Sequence, residues 1–79
     1  MVTGGEREMA EKNRLSLRER RCLEMVARGL RIQAIADEIV IARVTVEMHL
    51  KSAREKLDAA TLPQAVSKAL ETKEIDPYG

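Results

Sequence analysis

At 79 residues the chain has room for one domain, because a chain of this size buries only roughly 60% of the surface its unfolded form exposes. It has no Phe or Trp, one aromatic (Tyr78), one cysteine (Cys22) and one histidine, so the core is aliphatic and an internal disulfide or a self-contained zinc site is excluded. A reduced, cytoplasmic setting is expected: no apolar run approaches the ~20 residues of a membrane span, and the N-terminus lacks the apolar segment of a signal peptide. The net charge of +1 is small, but it is unevenly placed. Leu15 to Leu57 is basic and Asp58 to Gly79 acidic, which fits a domain showing one face to an anionic partner. Ordinary mixed surface charge would produce the same balance.

Met1 to Arg14 contains Gly4-Gly5, balanced charges and few apolar residues, and reads as a flexible arm or linker. Ser16-Leu17-Arg18-Glu19 then forms a capping box, in which the Ser16 hydroxyl accepts from the Glu19 amide and the Glu19 carboxylate reaches back to Ser16. Cys22, Leu23 and Val26 follow at helical spacing, and Gly29 supplies the stop. A second helix places Ile32, Ile35, Ala36 and Ile39 on one face. After the short connection Val40-Ile41-Ala42, a third helix runs from about Arg43. It buries Val46, Leu50, Ala53 and Leu57 and carries Arg43, Glu47, Lys51 and Arg54 opposite. A fourth helix begins near Thr61, with Thr61-Leu62-Pro63-Gln64 as a second capping box and Pro63 tolerated in the first turn. Val66, Ala69 and Leu70 form its stripe, and Asp76-Pro77 ends it. Neither a strand pattern nor an internal repeat occurs. The pattern predicts an all-α domain of four short helices over 15–75, with a tail over 76–79.

The connection between the second and third helices is too short for an ordinary hairpin of long helices. It suits a helix-turn-helix, whose second helix enters the major groove of DNA. The residues carry this further. Leu15-Ser16, Arg18-Glu19, Leu23, Ala27, Gly29, Ile35-Ala36, Ile41, Thr45-Val46, His49-Leu50, Lys56-Leu57 and Gln64-Ala65-Val66 together resemble the LuxR/GerE family of helix-turn-helix domains, without a gap over most of Leu15 to Leu70. Cys22, Ala53 and Ala59-Ala60-Thr61 look more like the quorum-sensing branch than the response-regulator branch. The resemblance implies an N-terminal sensor domain, binding an acyl-homoserine lactone in the first branch and phosphorylated in the second; neither lies within this chain.

The resemblance also assigns roles. It makes Glu47 and Lys51 base-facing: a lysine can donate to guanine, and a carboxylate can accept from cytosine N4. Alternatively they are a solvated i,i+4 pair. Met48 beside them offers an apolar contact to a thymine methyl. Arg43, Thr45 and Arg54 are expected at phosphates, which position the helix without reading sequence. The fourth helix is expected to form a two-fold dimer contact through Pro63, Val66, Ser67 and Leu70. Three positions depart from the family pattern. Val40 stands where the family has Gly in the turn, Ala42 where it has a Ser cap, and Glu47 where it has a basic or amide residue. Either the turn at Val40 uses another geometry or it is strained, since a β-branched residue resists positive φ.

Of the remaining polar residues, His49 reads as a structural hydrogen-bonder at the edge of the buried face, and Cys22 as a small core residue. No nucleophile–base pair or metal set is legible, so an enzyme is not expected, and no cofactor is implied. The leading expectation is the DNA-binding domain of a transcription regulator, with double-stranded DNA and a second copy of the chain as partners. A second is an interaction module that dimerises with a related regulator and blocks it. A third, a sigma-factor-like promoter-reading domain, is disfavoured by His49 and the Gln64-Ala65-Val66 helix.

Overall fold

The computed structural model describes residues 14–78. Among them are four helices and no strand: α1 (Leu17–Ala27), α2 (Ile32–Ile39), α3 (Arg43–Lys56) and α4 (Leu62–Glu71). The all-α expectation is met, and the expected N-terminal arm lies, but for Arg14, outside the described residues.

The α1 capping box is complete. The Glu19 amide donates to the Ser16 hydroxyl oxygen (3.1 Å) and the Ser16 amide donates to the Glu19 carboxylate (2.8 Å). At α4 only half of the second box forms. The Gln64 amide donates to Thr61 Oγ1 at 3.3 Å, but the Gln64 side chain accepts from the Ala60 amide (2.7 Å), one residue ahead of the cap. All four helices end alike. Gly29, Val40, Asp58 and Lys73 take positive φ, and the next amides, of Leu30, Ile41, Ala59 and Glu74, donate back to the carbonyls of Met25, Ala36, Arg54 and Ala69. This is the six-to-one closure of a Schellman motif.

That closure ends α4 at Glu71 rather than at Asp76-Pro77. Lys73 reverses the chain and drops Ile75 into the core. Arg28 Nε of the α1 cap donates to the Pro77 carbonyl (2.7 Å), and the Asp76 amide donates to the Glu24 carboxylate (3.1 Å). The segment after α4 is thereby fastened to α1.

The core comprises Leu15, Cys22, Leu23, Met25, Ile35, Ala36, Val46, Leu50, Ala53, Ala65, Ala69 and Ile75. Helix α3 is central, packing on each of the other three. Five residues of the expected apolar faces, Val26, Ile32, Ile39, Leu57 and Val66, are only half-buried, and Leu70 of the expected α4 stripe is exposed. Ala65, not Val66, joins Ala69 on the buried face of α4, because small side chains let helix axes approach closely. Cys22 is fully buried, and that burial pushes its thiol pKa up, as suits an inert core residue.

Among the described residues, the charged residue buried with this core is Glu19. The Glu19 side chain is only 6% exposed and accepts from Lys56 Nζ at 2.8 Å; Lys56 also donates to the Arg14 carbonyl. Burial by itself raises the carboxyl pKa. The hydrogen bonds from Lys56, the Ser16 amide and the Ser52 hydroxyl, with the Lys56 charge, outweigh it and hold the group at about 2, below its ordinary 4.5. A depressed folded-state pKa stabilises fully above the unfolded value and loses that stability as pH falls through the folded one. Glu19→Gln is therefore expected to cost about 1–3 kcal/mol at neutral pH. In thermal melts, the gap between wild type and variant should narrow between pH 7 and pH 3. A constant gap would show that charge plays no part in the contact.

Candidate nucleic-acid interface

Between α2 and α3 the chain turns through Val40, Ile41 and Ala42. Val40 adopts the left-handed conformation (φ 55°, ψ 53°), with its side chain 86% exposed. Of the two alternatives for this turn, strain is realised. An L-residue there costs about 1–2 kcal/mol, and β-branching does not ease it. The reversal it permits brings Ile41 back against the core, its amide bonded to the Ala36 carbonyl at 3.1 Å.

Ala42 is the N-cap of α3 and offers no side-chain acceptor; Arg31 at the start of α2 makes no cap bond either. The outer helices α1 and α4 are capped by Ser16 and Thr61. So both helices of the helix-turn-helix start without a side-chain cap. Arg43 adds a cation to the first turn of α3, where the macrodipole disfavours it.

Val46, Leu50 and Ala53 anchor α3 in the core. Facing outward are Arg43, Val44, Glu47, Met48, Lys51 and Glu55, all exposed, while Thr45, His49 and Arg54 are half-buried. The structure thus brings the predicted base-facing residues, Glu47, Met48 and Lys51, onto one exposed surface, with Arg43 beside them. Glu47 pairs with Arg43 at 3.3 Å, not with Lys51, which has no acidic partner among the described residues. Arg54 donates to the Ala60 carbonyl at 3.0 Å, so part of its guanidinium holds the α3–α4 connection. The His49 ring makes no side-chain hydrogen bond among the described residues, contrary to the structural role expected of it. On α4, Pro63, Ser67 and Leu70 (43% exposed) lie on the outer face and Val66 is half-buried. Sequence reasoning overlooked Val44; its only signal was an apolar residue one turn before Met48, outside the buried periodicity.

Residues 13–69 match the family model described as bacterial regulatory proteins, luxR family. The chain belongs to the luxR family. It is 46% identical over 61 residues to the transcriptional activator protein RaiR of Rhizobium etli, an alignment covering 77% of this chain and 25% of that protein. With the probable transcriptional regulatory protein NarL of Mycobacterium tuberculosis the identity is 39% over 62 residues, 78% of this chain and 29% of the relative. With the spore germination protein GerE of Bacillus subtilis it is 32% over 71 residues, 90% of this chain and 96% of the relative. The chain therefore spans between a quarter and a third of the first two relatives and nearly all of the third. As a luxR-family domain it is a DNA-binding transcription-regulator domain, not an enzyme. No helix among the described residues is long and apolar enough to cross a membrane.

The turn is improvable. Val40→Gly relieves the left-handed strain, partly offset by the extra freedom of glycine in the unfolded chain, for a net gain of about 1 kcal/mol. Ala42→Ser gives an orphan amide of α3 an acceptor and adds a similar amount, about 1 kcal/mol. Each variant should melt about 4–8 °C above the parent. A Val40→Gly variant that melts at or below the parent temperature would show that the turn is not strained.

Proposed function

We propose that the chain is the sequence-specific DNA-binding unit of a bacterial transcription regulator of the quorum-sensing type, working in the cytoplasm. In this reading α3 enters the major groove and a dimer forms through α4. What carries the reading is the division of α3 into a face packed against the other three helices and an exposed face that mixes charged residues with Val44 and Met48. A reader helix has to be held rigidly while its side chains stay free to pair with bases. Glu47, Met48 and Lys51 face the bases; Arg43, Thr45 and Arg54 contact phosphates. The quorum-sensing assignment is supported by Cys22, Ala53 and Ala59-Ala60-Thr61.

Glu47 decides between this reading and an interaction module that blocks a related regulator. The module is favoured by the uncapped α3 and by a carboxylate on the groove-facing side. The pairing with Arg43 at 3.3 Å offsets part of the repulsion between that carboxylate and the duplex. In a titration against an operator selected from random duplexes, Glu47→Ala should lose about 1–3 kcal/mol of discrimination at one base pair and change little on random DNA. Binding should weaken with salt at a slope of roughly −0.9 per neutralised phosphate, and Arg43→Ala should flatten that slope by about one unit. A uniform gain in affinity from Glu47→Ala, with no change in ranking, would instead favour the interaction module.

For the dimer, the support is the outward placement of Pro63, Ser67 and Leu70 along α4. Leu70→Glu is expected to reduce self-association in sedimentation, and occupancy of a two-fold operator, with helicity unchanged, because a charge in an apolar contact loses solvation without gaining a partner. Global unfolding of that variant would return Leu70 to the monomer core.

A further inference from the structure

The outermost ridge of α3 is apolar where it begins. Val44 is 61% exposed and Met48 65% exposed, one helical turn apart. Neither contributes to the core, which α3 supplies through Val46, Leu50 and Ala53. Two exposed apolar side chains in register on a helix whose other outward positions are charged are not explained by folding. We propose that Val44 and Met48 act as a pair that reads the C5-methyl groups of two thymines in the major groove, an inference that rests on the DNA-reading role of α3.

Three observations converge on that occupant. The pair lies in the first half of α3, the part of a recognition helix that reaches base edges. Arg43, paired with Glu47 at 3.3 Å, stands before it, and Lys51, without an acidic partner among the described residues, stands after it. This leaves one uncompensated cation beside the pair for a polyanion whose groove also carries apolar groups. The spacing matches too. Four residues of helix rise about 6 Å at 1.5 Å each, close to two steps of about 3.4 Å along one DNA strand. Thymine is the base that presents a methyl group in the major groove. The division of labour follows from the side chains: Val44 is stiff and fixes one position, whereas unbranched Met48 adapts to the other. Glu47 and Lys51, polar readers on the same surface, leave this pair to supply the apolar part of the recognition.

The test deletes only the methyl groups. Duplexes are first selected from a random pool by the whole chain, and each thymine of the winning sequence is then replaced singly by deoxyuridine. Removing a contacted methyl should weaken binding roughly fourfold, the equivalent of one buried CH₂, at two positions about two base pairs apart. Met48→Ala should erase the sensitivity at one of them and Val44→Ala at the other, each leaving its neighbour intact. Circular dichroism of both variants should match the parent, since neither side chain is in the core. If the parent selects an operator yet tolerates every thymine-to-uracil replacement, the methyl-reading pair is wrong while DNA reading stands. If the parent selects no sequence at all, the DNA-reading role itself falls. If both alanine variants lower self-association in sedimentation and leave uracil sensitivity unchanged, the ridge is a protein contact and the proposal is overturned.

Discussion

The Glu19 carboxylate fastens the start of α1 to the end of α3, and the placement of the outward face of α3 depends on that tie. One oxygen accepts both the Ser16 amide and the Lys56 ammonium at 2.8 Å, so a single group caps one helix and grips another. A buried ion pair is weak evidence for net stability, because desolvation offsets much of the attraction. Its contribution here is geometric. Lys56 is the last residue of α3, while Val46 and Leu50 hold the earlier turns in the core. Pinned along its length, α3 cannot roll, and its exposed residues keep a fixed direction.

Local stabilisation is unevenly distributed around that frame. The outer helices start on hydroxyl caps, and the segment after α4 is drawn back to α1 by Arg28 and Glu24. The two helices of the helix-turn-helix start without a side-chain cap, and they meet at a valine in the left-handed region. In a domain whose total stability is of the order of 5–15 kcal/mol, a strained turn and a missing cap are substantial concessions. They are tolerable because α2 and α3 are held by tertiary burial of Ile35, Ala36, Val46 and Leu50 more than by their own ends.

The exposed face of α3 is chemically mixed in a way that net charge conceals. Arg43 and Glu47 neutralise one another across one turn, Lys51 stands without an acidic partner among the described residues, and Val44 and Met48 form an exposed apolar ridge beside them. An exposed i,i+4 pair is worth only a few tenths of a kcal/mol in water, and its meaning changes once a polyanion approaches. A free carboxylate would be repelled, whereas a carboxylate held by a guanidinium presents little net charge. The near-neutral composition of the chain is thus compatible with a face built for an anionic partner.

The sequence by itself determined the elements. Helical spacing of Cys22 and Leu23, of Ile35 and Ala36, and of Val46, Leu50 and Ala53 was enough to place three helices. Ser16 and Gly29 marked the two ends of α1 and Thr61 the start of α4, because capping and periodicity act within a few residues of the chain. The family pattern likewise made Glu47, Met48 and Lys51 legible as one outward set. Only the tertiary structure decided which contacts cross between elements. Glu19 finds Lys56, Glu24 and Arg28 find the segment after α4, Ala65 rather than Val66 turns inward, and Glu47 pairs with Arg43 rather than Lys51. At Val40 the sequence left two geometries open, and packing of α2 against α3 selected the strained one. The physical reason is common to all of these: a residue's local preference is worth from a fraction of a kcal/mol to about 1–2 kcal/mol at a position such as Val40, and the burial of a shared core outweighs it wherever the two disagree.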